Sequence, residues 1–526
     1  MRTLTPEQIH ARRWATLGVL CLSLLVIVVD ATIVNVALPT LVRQLHASTT
    51  SLQWVADAYT IAMAGLLLGL GSLGDRIGRQ RTLAGGLVIF GLGSLAASLS
   101  GSAEALIIAR VVMGIGAAAI MPATLSILTN VFTVPGERAK AIAMWSAVSG
   151  LGVAIGPTLG GWLLEHFSWG SIFAVNLPIV AVALIAGRLL IPASKDPHPK
   201  RLDPIGLILS VAGVVAVVYA IIEAPTYGWL SARTVGVSAA GLAILGGWIV
   251  FELRSSHPMV DLRVFRNARF TAASFSVTMI FVGLFGWLFL FTQQMQFVLG
   301  YNTLQAGVRA LPFAITIGAI SQPAAKLAAR IGTKAVVTAG LAMMAVGFGM
   351  MATSTTHTGY SFLLVASIVI AAGMGLAMAP ATDSIMGSLP PAQAGVGSAV
   401  NDTTRSLGGA LGVAAMGSIA SSLFTSHLQP ALAHIPAPLA SQAKASVGAA
   451  VTVGQHAPAP IGNHLIDAAR NAFISGSNHA MLLAVAAAVL GAVVAARYLP
   501  ARPAGAADTE VAADTDSSGL VELQAA

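Results

Sequence analysis

Trp14–Pro39 reads WATLGVLCLSLLVIVVDATIVNVALP, and this stretch decides the fold class. It exceeds the roughly 20 apolar residues that a helix needs to cross a bilayer. One acid, Asp30, stands well inside it. At about 1.5 Å of rise per residue, Asp30 lies about 24 Å from the Trp14 end. A carboxylate in hydrocarbon is costly, and its first reading is functional.

Composition agrees. Of 526 residues, 56% are hydrophobic and 9% charged, whereas soluble domains carry about 25% charged residues. The chain therefore reads as an integral membrane protein. A net charge of +8 would point to nucleic acid in a soluble protein; here the placement of the positive charges matters more, and no nucleic-acid partner is expected. Cys21 is the single cysteine, so no intrachain disulfide framework exists. The N-terminal apolar run outlasts a signal peptide's h-region of about 7–15 residues. No Gly-x4-Gly-Lys-Ser/Thr loop, His-Glu-x-x-His or Gly-x-Ser-x-Gly occurs. The sequence thus predicts no enzyme and no cofactor.

Fourteen apolar segments approach span length: 14–38, 51–73, 82–100, 104–131, 140–164, 171–191, 204–224, 233–253, 270–292, 304–326, 334–354, 361–387, 394–422 and 477–498. With the N-terminus inside, the inside segments hold 21 of the 28 Lys and Arg residues. That bias supports an even count of spans, with both termini cytoplasmic. Residues 423–476, with His427, His434, His456 and His464, read as a solvated outside loop without metal-ligand spacing. Residues 499–526 read as a disordered acidic tail.

Gly71–Arg79 (GSLGDRIGR) has an echo in Ala325–Thr333 (AKLAARIGT), with Leu73, Arg76, Ile77 and Gly78 recurring at an offset of 254. Two related halves separated by two extra spans explain it, an arrangement typical of transporters with a central site. The expected organisation is 1–13 as cytoplasmic N-terminus, 14–191 as one six-helix bundle, 192–269 as a linker with two extra spans, and 270–498 as the second bundle. The glycines of the first turn permit close approach, and Asp75 is placed to pair with Arg76 or Arg79. The turn reads either as a topology-setting basic loop or as a charged latch between halves, formed by Gly71, Asp75, Arg76, Gly78 and Arg79.

These motifs carry a resemblance. Gly71–Arg81 (GSLGDRIGRQR) resembles the loop signature of the major facilitator superfamily. Val29–Pro39 (VDATIVNVALP) resembles the first-helix motif of its fourteen-span drug:proton antiporters, the EmrB/QacA type. Trp54–Tyr59 (WVADAY) resembles their second-helix motif, Ile108–Gly116 (IARVVMGIG) the fourth-helix arginine motif, and Gly152–Gly161 (GVAIGPTLGG) the fifth-helix antiporter motif. The second-half turn departs from the pattern, with Ala329 where the first half has Asp75. The resemblance implies an all-α fold of two six-helix bundles plus two linker helices, and export of drugs in exchange for protons. Its partners would be amphipathic small molecules, protons and the bilayer, with a monomer the simplest assembly.

Residue by residue, Asp30, Asp57 and Arg110 fall at similar depth, about 9–12 Å from the outer ends of their spans by helical rise. Buried charges are expected to pair. The group reads either as a permanent ion pair or as a switchable cluster, with Asp30 and Arg110 coupling protons. Burial favours a neutral acid and a nearby guanidinium an ionised one, so an acid balanced between them can load and release a proton. Asp57 doubles as a candidate for cation recognition. Trp54 and Tyr59 are candidates for cation–π contact, and the resemblance adds Asn35 to the substrate site. Gly152, Gly156 and Gly160 recur every four residues, and with Pro157 and Gly161 read as close helix packing or as a pliable seal between halves. Asp402 and Arg405 share a helix face, giving either an intrahelical pair or a second acidic substrate contact. The rings of the aromatic ninth span (Phe281, Phe285, Trp287, Phe289, Phe291) are expected to face lipid or fill packing space, with an apolar pocket lining as the alternative for some of them.

Overall fold

Gly78 and Gly332 each end a helix at a positive φ, 112° and 93°, a conformation that suits glycine because it has no Cβ. Each donates its N–H to the carbonyl four residues back, Gly74 at 3.0 Å and Ala328 at 2.9 Å. The echo at offset 254 is thus a repeated turn in the computed structural model, which describes residues 6–195, 203–256, 258, 261–389, 394–433 and 435–501. His434, part of the linker and the tail from residue 502 lie outside the described residues.

The chain is helical throughout its described elements: α1 (Pro6–Leu45), α2 (Thr49–Ile77), α3 (Arg79–Ser98), α4 (Ala103–Val131), α5 (Pro135–His166), α6 (Ser171–Ala174), α7 (Asn176–Leu190), α8 (Pro204–Tyr227) and α9 (Ala232–Arg254). Then come α10 (Ala268–Gln293), α11 (Thr303–Arg309), α12 (Leu311–Ile331), α13 (Thr333–Met351), α14 (Tyr360–Met386), α15 (Ala394–Leu428), α16 (Ala437–Ala445), α17 (Val447–His456) and α18 (Ala459–Tyr498). Polar side chains set several starts: Ser48, Ser102, Asp203 and Ser231 each accept a backbone N–H from the first turn of the helix they precede. Among the described residues, twelve helical segments are long and apolar enough to cross a bilayer, thirteen when the bent α2 is taken as one span. α5, 32 residues long, stands at the fifth of the fourteen expected positions, so the count of fourteen is compatible with the fold.

The repeat extends to packing. In the first half α1 packs on α5, α4 on α2 and α3, and α7 on α3; in the second, α10 packs on α15, α14 on α12 and α13, and α18 on α13. The hairpin α8–α9 stands between the halves in sequence, and α8 touches both α2 and α15. The two halves are joined by hydrogen bonds at the end that carries the α1–α2 connection. Gln53 Nε2 donates to the carbonyls of Val413 (3.2 Å) and Ala414 (2.9 Å) and to Ser418 Oγ (3.2 Å). Gln296 Nε2 donates to the Val36 carbonyl at 3.0 Å. At the opposite end Ile77, Leu327 and Ile331 are exposed.

One expectation changes. Residues 423–476 are not a solvated loop: α15 runs on to Leu428, α16 and α17 follow, and α18 starts at Ala459. Alanine-rich sequence favours helix, and Ser446 caps α17 by accepting from the Ala449 N–H. Val447, Gly448 and Ala450 are buried, and α17 packs on α18 and α1. Prolines cut this region into pieces too short to show a clear periodicity. For the aromatic ninth span, the structure decides between the readings in favour of packing. Phe281, Trp287, Phe289 and Phe291 are buried, because α10 lies among α14, α15 and α18 and reaches α1 across the seam.

Candidate functional site

Arg110 on α4 is 1% exposed and Asp30 on α1 fully buried. Arg110 Nη1 donates to Asp30 Oδ2 at 2.5 Å. Its Nε donates to the Val55 carbonyl of α2 at 3.0 Å, and its guanidinium lies 4.2 Å from the centroid of the Tyr59 ring. Val55 and Tyr59 are four residues apart, so one face of α2 supplies both contacts. Gly114 makes the approach possible: a Cβ there would meet the Tyr59 carbonyl oxygen at 2.5 Å and Ala62 at 2.8 Å.

The second oxygen of Asp30 is held from α7. Asn176 Nδ2 donates to Asp30 Oδ1 at 3.1 Å and lies 3.1 Å from Ser94 Oγ on α3. Ser94 Oγ in turn donates to the Phe173 carbonyl at 2.7 Å. Four helices, α1, α2, α4 and α7, therefore converge on one carboxylate and one guanidinium, with α3 and the short α6 behind Asn176. Arginine stays charged in any protein environment, and a buried charge that loses its partner costs several kcal/mol. A proton placed on Asp30 would leave Arg110 with one carbonyl and one ring face. The site thereby couples the charge on Asp30 to how α1, α4 and α2 sit together.

The other sequence-predicted residues are divided by helix rotation. Tyr59 belongs to the ion-pair cluster, with its hydroxyl donating to the Ile27 carbonyl at 3.4 Å. Asp57 is turned about 160° away from it at 3.6 residues per turn. Asp57 is 1% exposed and its Oδ2 has no hydrogen-bond partner. Trp54, half-buried, donates Nε1 to Glu223 Oε1 of α8 at 3.3 Å. Asn35 donates its amide to the Ala31 carbonyl of its own helix at 3.3 Å. Asp402 and Arg405 form no ion pair within 4 Å among the described residues: Asp402 Oδ1 accepts from Asn401 at 3.4 Å, and Arg405 Nη2 donates to Thr382 Oγ1 at 3.1 Å. The static pair is thus not formed, because each side chain finds a polar neighbour instead.

The first-half turn keeps its charges to itself. Arg79 Nε donates to Asp75 Oδ1 at 2.9 Å, four residues back, and Arg79 Nη1 reaches the Ser126 carbonyl of α4 at 3.5 Å. The α5 motif has two faces. Gly152, Gly156 and Gly160 lie against Val28, Thr32 and Ile33 of α1, inside one half. Gly161 lies against Thr303 and Leu304, and the Pro157 carbonyl abuts Gly307, so these two residues meet α11 of the other half.

Asn176, Ser94, Gln53, Gln296 and Glu223 escape the sequence reading. Glu223 stands one residue before the end of the seventh segment, 204–224, so by position it reads as an interfacial acid and not as one well inside a span. Asn176, Ser94 and the glutamines are uncharged, and polar residues of that kind are scattered through many spans.

The comparisons with known proteins follow the same pattern. The profile described as Major Facilitator Superfamily matches residues 20–413. The chain is 35% identical over 485 residues to the multidrug efflux pump LfrA of Mycolicibacterium smegmatis, covering 91% of this chain and 96% of that protein. It is 35% identical over 488 residues to the methyl viologen resistance protein SmvA of Salmonella typhimurium, with 91% and 96% covered. The tetracenomycin C resistance and export protein of Streptomyces glaucescens shares 30% identity over 518 residues, 97% and 96% of the two chains. Among solved structures, the fold resembles a bacterial homologue of the human lysosomal transporter Spinster in an inward-facing, unoccupied conformation, with a TM-score of 0.66 at 16% identity over 94% of this chain and 99% of that one. It also resembles a D-xylose–proton symporter, with a TM-score of 0.63 at 14% identity over 93% and 98%. The repeated bundle, the matched profile and the relatives sharing nearly its full length agree that this chain is a transporter and belongs to the Major Facilitator Superfamily.

Proposed function

We propose that the protein is a proton-coupled antiporter that exports amphipathic, cationic compounds across the cytoplasmic membrane by alternating access. The observation that carries this reading is the Asp30–Arg110 pair, a titratable acid sealed among four helices of one half. Proton entry at Asp30 loosens Arg110, and proton departure restores the pair. One charge moving inward is worth about 2.3 kcal/mol per 100 mV of membrane potential. The excess of Lys and Arg on the α2–α3 side makes that side cytoplasmic, so the seam at the α1–α2 end is closed to the outside. In this state the Asp75–Arg79 pair stays within its own turn; closing the inner ends would bring the turn against the other half as a latch. Pro157 and Gly161 act as the outer part of the seal.

Relatives named for multidrug efflux and for methyl viologen resistance support an organic-cation cargo. The test is proton release from purified protein on addition of a panel of organic cations, with transport followed in parallel in proteoliposomes. Proton release that follows the transported compounds is the expected result; transport without any proton movement overturns the coupling. A second reading, export of an endogenous lipid, siderophore or secondary metabolite, is favoured by the relative named for tetracenomycin C export. Metabolite profiles of a deletion strain separate the two.

A further inference from the structure

We infer that α8, one of the two linker helices, supplies a second acid, Glu223, to a site shared with Asp57 at the junction of α2, α8 and α15, and that this site takes doubly charged aromatic cations. The inference rests on the cation-export reading and names the cargo class that this junction would select.

Three positions on α2, Gln53, Trp54 and Ile61, define the junction. Gln53 points at α15, where it donates to two carbonyls and Ser418. Trp54 points at α8, where its indole N–H meets Glu223 and its ring lies 6.1 Å from that of Tyr219. Ile61 packs with Val218 and Ile222 of α8 and Ala410 and Ala414 of α15. Asp57 is one turn beyond Gln53 and Trp54 and one turn before Ile61, so it faces the α8–α15 groove, about 4.5 Å along the axis from Trp54. Its carboxylate is buried, and one oxygen finds no partner. Asp57 is buried and Glu223 half-buried, and neither acid is in a salt bridge among the described residues.

Neighbouring basic groups are occupied elsewhere. Arg110 lies on the opposite face of α2 with Asp30. Arg233, exposed at the start of α9, donates to the Tyr219 hydroxyl and stacks on Tyr227 at 3.8 Å. A cleft lies beyond the junction, between the ends of α8 and α15, lined by Ala224, Pro225, Trp229, Ser422, Thr425 and Ser426 and by neither acid. At the junction itself the indole of Trp54 and the phenol of Tyr219 offer faces to a flat cation. A cation with two separated charges answers both acids at once, whereas a monocation leaves one unanswered.

The test uses the full-length protein in proteoliposomes with methyl viologen as dication and tetraphenylphosphonium as monocation. Wild type, Glu223→Gln and Glu223→Asp are compared at equal amounts of monodisperse protein. The expected result is a fall of about tenfold in the dication-to-monocation rate ratio for Glu223→Gln, the effect of about one lost charge contact, with much of the ratio restored by Glu223→Asp. An unchanged ratio, including equal loss of both rates, overturns the role of Glu223 and leaves the export reading standing. If the wild type carries neither probe, the cation-export reading itself falls, and this site with it.

Discussion

Arg110 donates to Asp30 at 2.5 Å and makes no hydrogen bond to Asp57, although it rests on the ring of Tyr59, two residues along the chain from that second acid. Two acids at the same depth thus differ in kind. One is neutralised and hydrogen-bonded on both oxygens; the other is buried with an oxygen unanswered. The difference lies in the rotation of α2, which turns Val55 and Tyr59 toward α1 and α4 and Asp57 toward α8 and α15.

Asp30→Asn is expected to abolish efflux driven by a pH gradient. The amide keeps an acceptor for Arg110 but cannot carry the charge, so the protein folds with a stability loss of about 3 kcal/mol. Substrate-dependent proton movement in everted vesicles checks the first part, and thermal unfolding of purified protein the second. Adding Arg110→Gln should recover much of the stability, since removing both buried charges is often neutral, while transport stays lost. Undiminished pH-driven transport by Asp30→Asn would reject Asp30 as the carrier.

Asn176→Leu should cost about 1–3 kcal/mol, because the buried Asp30 Oδ1 loses its donor. Ser94→Ala should cost less, since the neutral hydroxyl touches the acid only through Asn176. The check is a comparison of unfolding midpoints and efflux rates, in which the order Asn176→Leu worse than Ser94→Ala is the outcome to be met.

Gly307→Val is expected to reduce transport at least about tenfold. A Cβ at 307 would run into the Pro157 carbonyl, and an interior backbone atom cannot yield as a side chain does. The seam should then fail to close at the α1–α2 end. Thiol labelling of cysteines introduced along that end of α5, in a Cys21→Ser background, should rise. Gly318→Val serves as control, because nothing lies within 4 Å of the added Cβ, and its transport should stay within about twofold of wild type, in line with substitutions away from packed contacts.

The Arg13–Glu137 pair, 2.9 Å apart, ties α1 to the start of α5 outside the expected spans. The hydrogen bond from Arg13 holds the Glu137 carboxyl below its usual range. A depressed folded-state value means that the pair stabilises the protein above the ordinary glutamate pKa of about 4.3 and ceases to do so as pH falls through the lowered value. The midpoint difference between wild type and Glu137→Gln should therefore be constant between about pH 6 and pH 8 and vanish in acid. A difference that grows in acid would contradict this pairing.

Much of the fold is legible in the sequence because it is written in quantities that run along one dimension. Hydropathy marks which helices are long and apolar enough to cross a bilayer, charge bias predicts which connections share a side, and Gly78 and Gly332 mark a repeated turn. The rest is decided where a third dimension enters. For the rings of α10 the sequence leaves lipid and packing open, and only the place of the helix inside its bundle decides for packing. Residues 429–456 look like a loop because α16 and α17 are short and bounded by prolines, and only burial against α18 and α1 holds them helical. For Asp402 and Arg405 spacing leaves a pair or a substrate contact open, and the structure shows Asp402 accepting from Asn401 and Arg405 donating to Thr382.

The sequence by itself determined the membrane class, the series of spans, the two related halves and the presence of Asp30, Asp57 and Arg110 at a common depth, since length, polarity and rise per residue are enough for each. Only the tertiary structure decided which acid Arg110 neutralises, which end of the seam is closed, and that α8 brings Glu223 to Trp54 and the face of α2 that bears Asp57. Those outcomes depend on how far each helix is rotated about its axis. Small residues such as Gly114, Gly156 and Gly307 set that rotation by admitting a neighbour's backbone or side chain, and hydropathy carries no record of it.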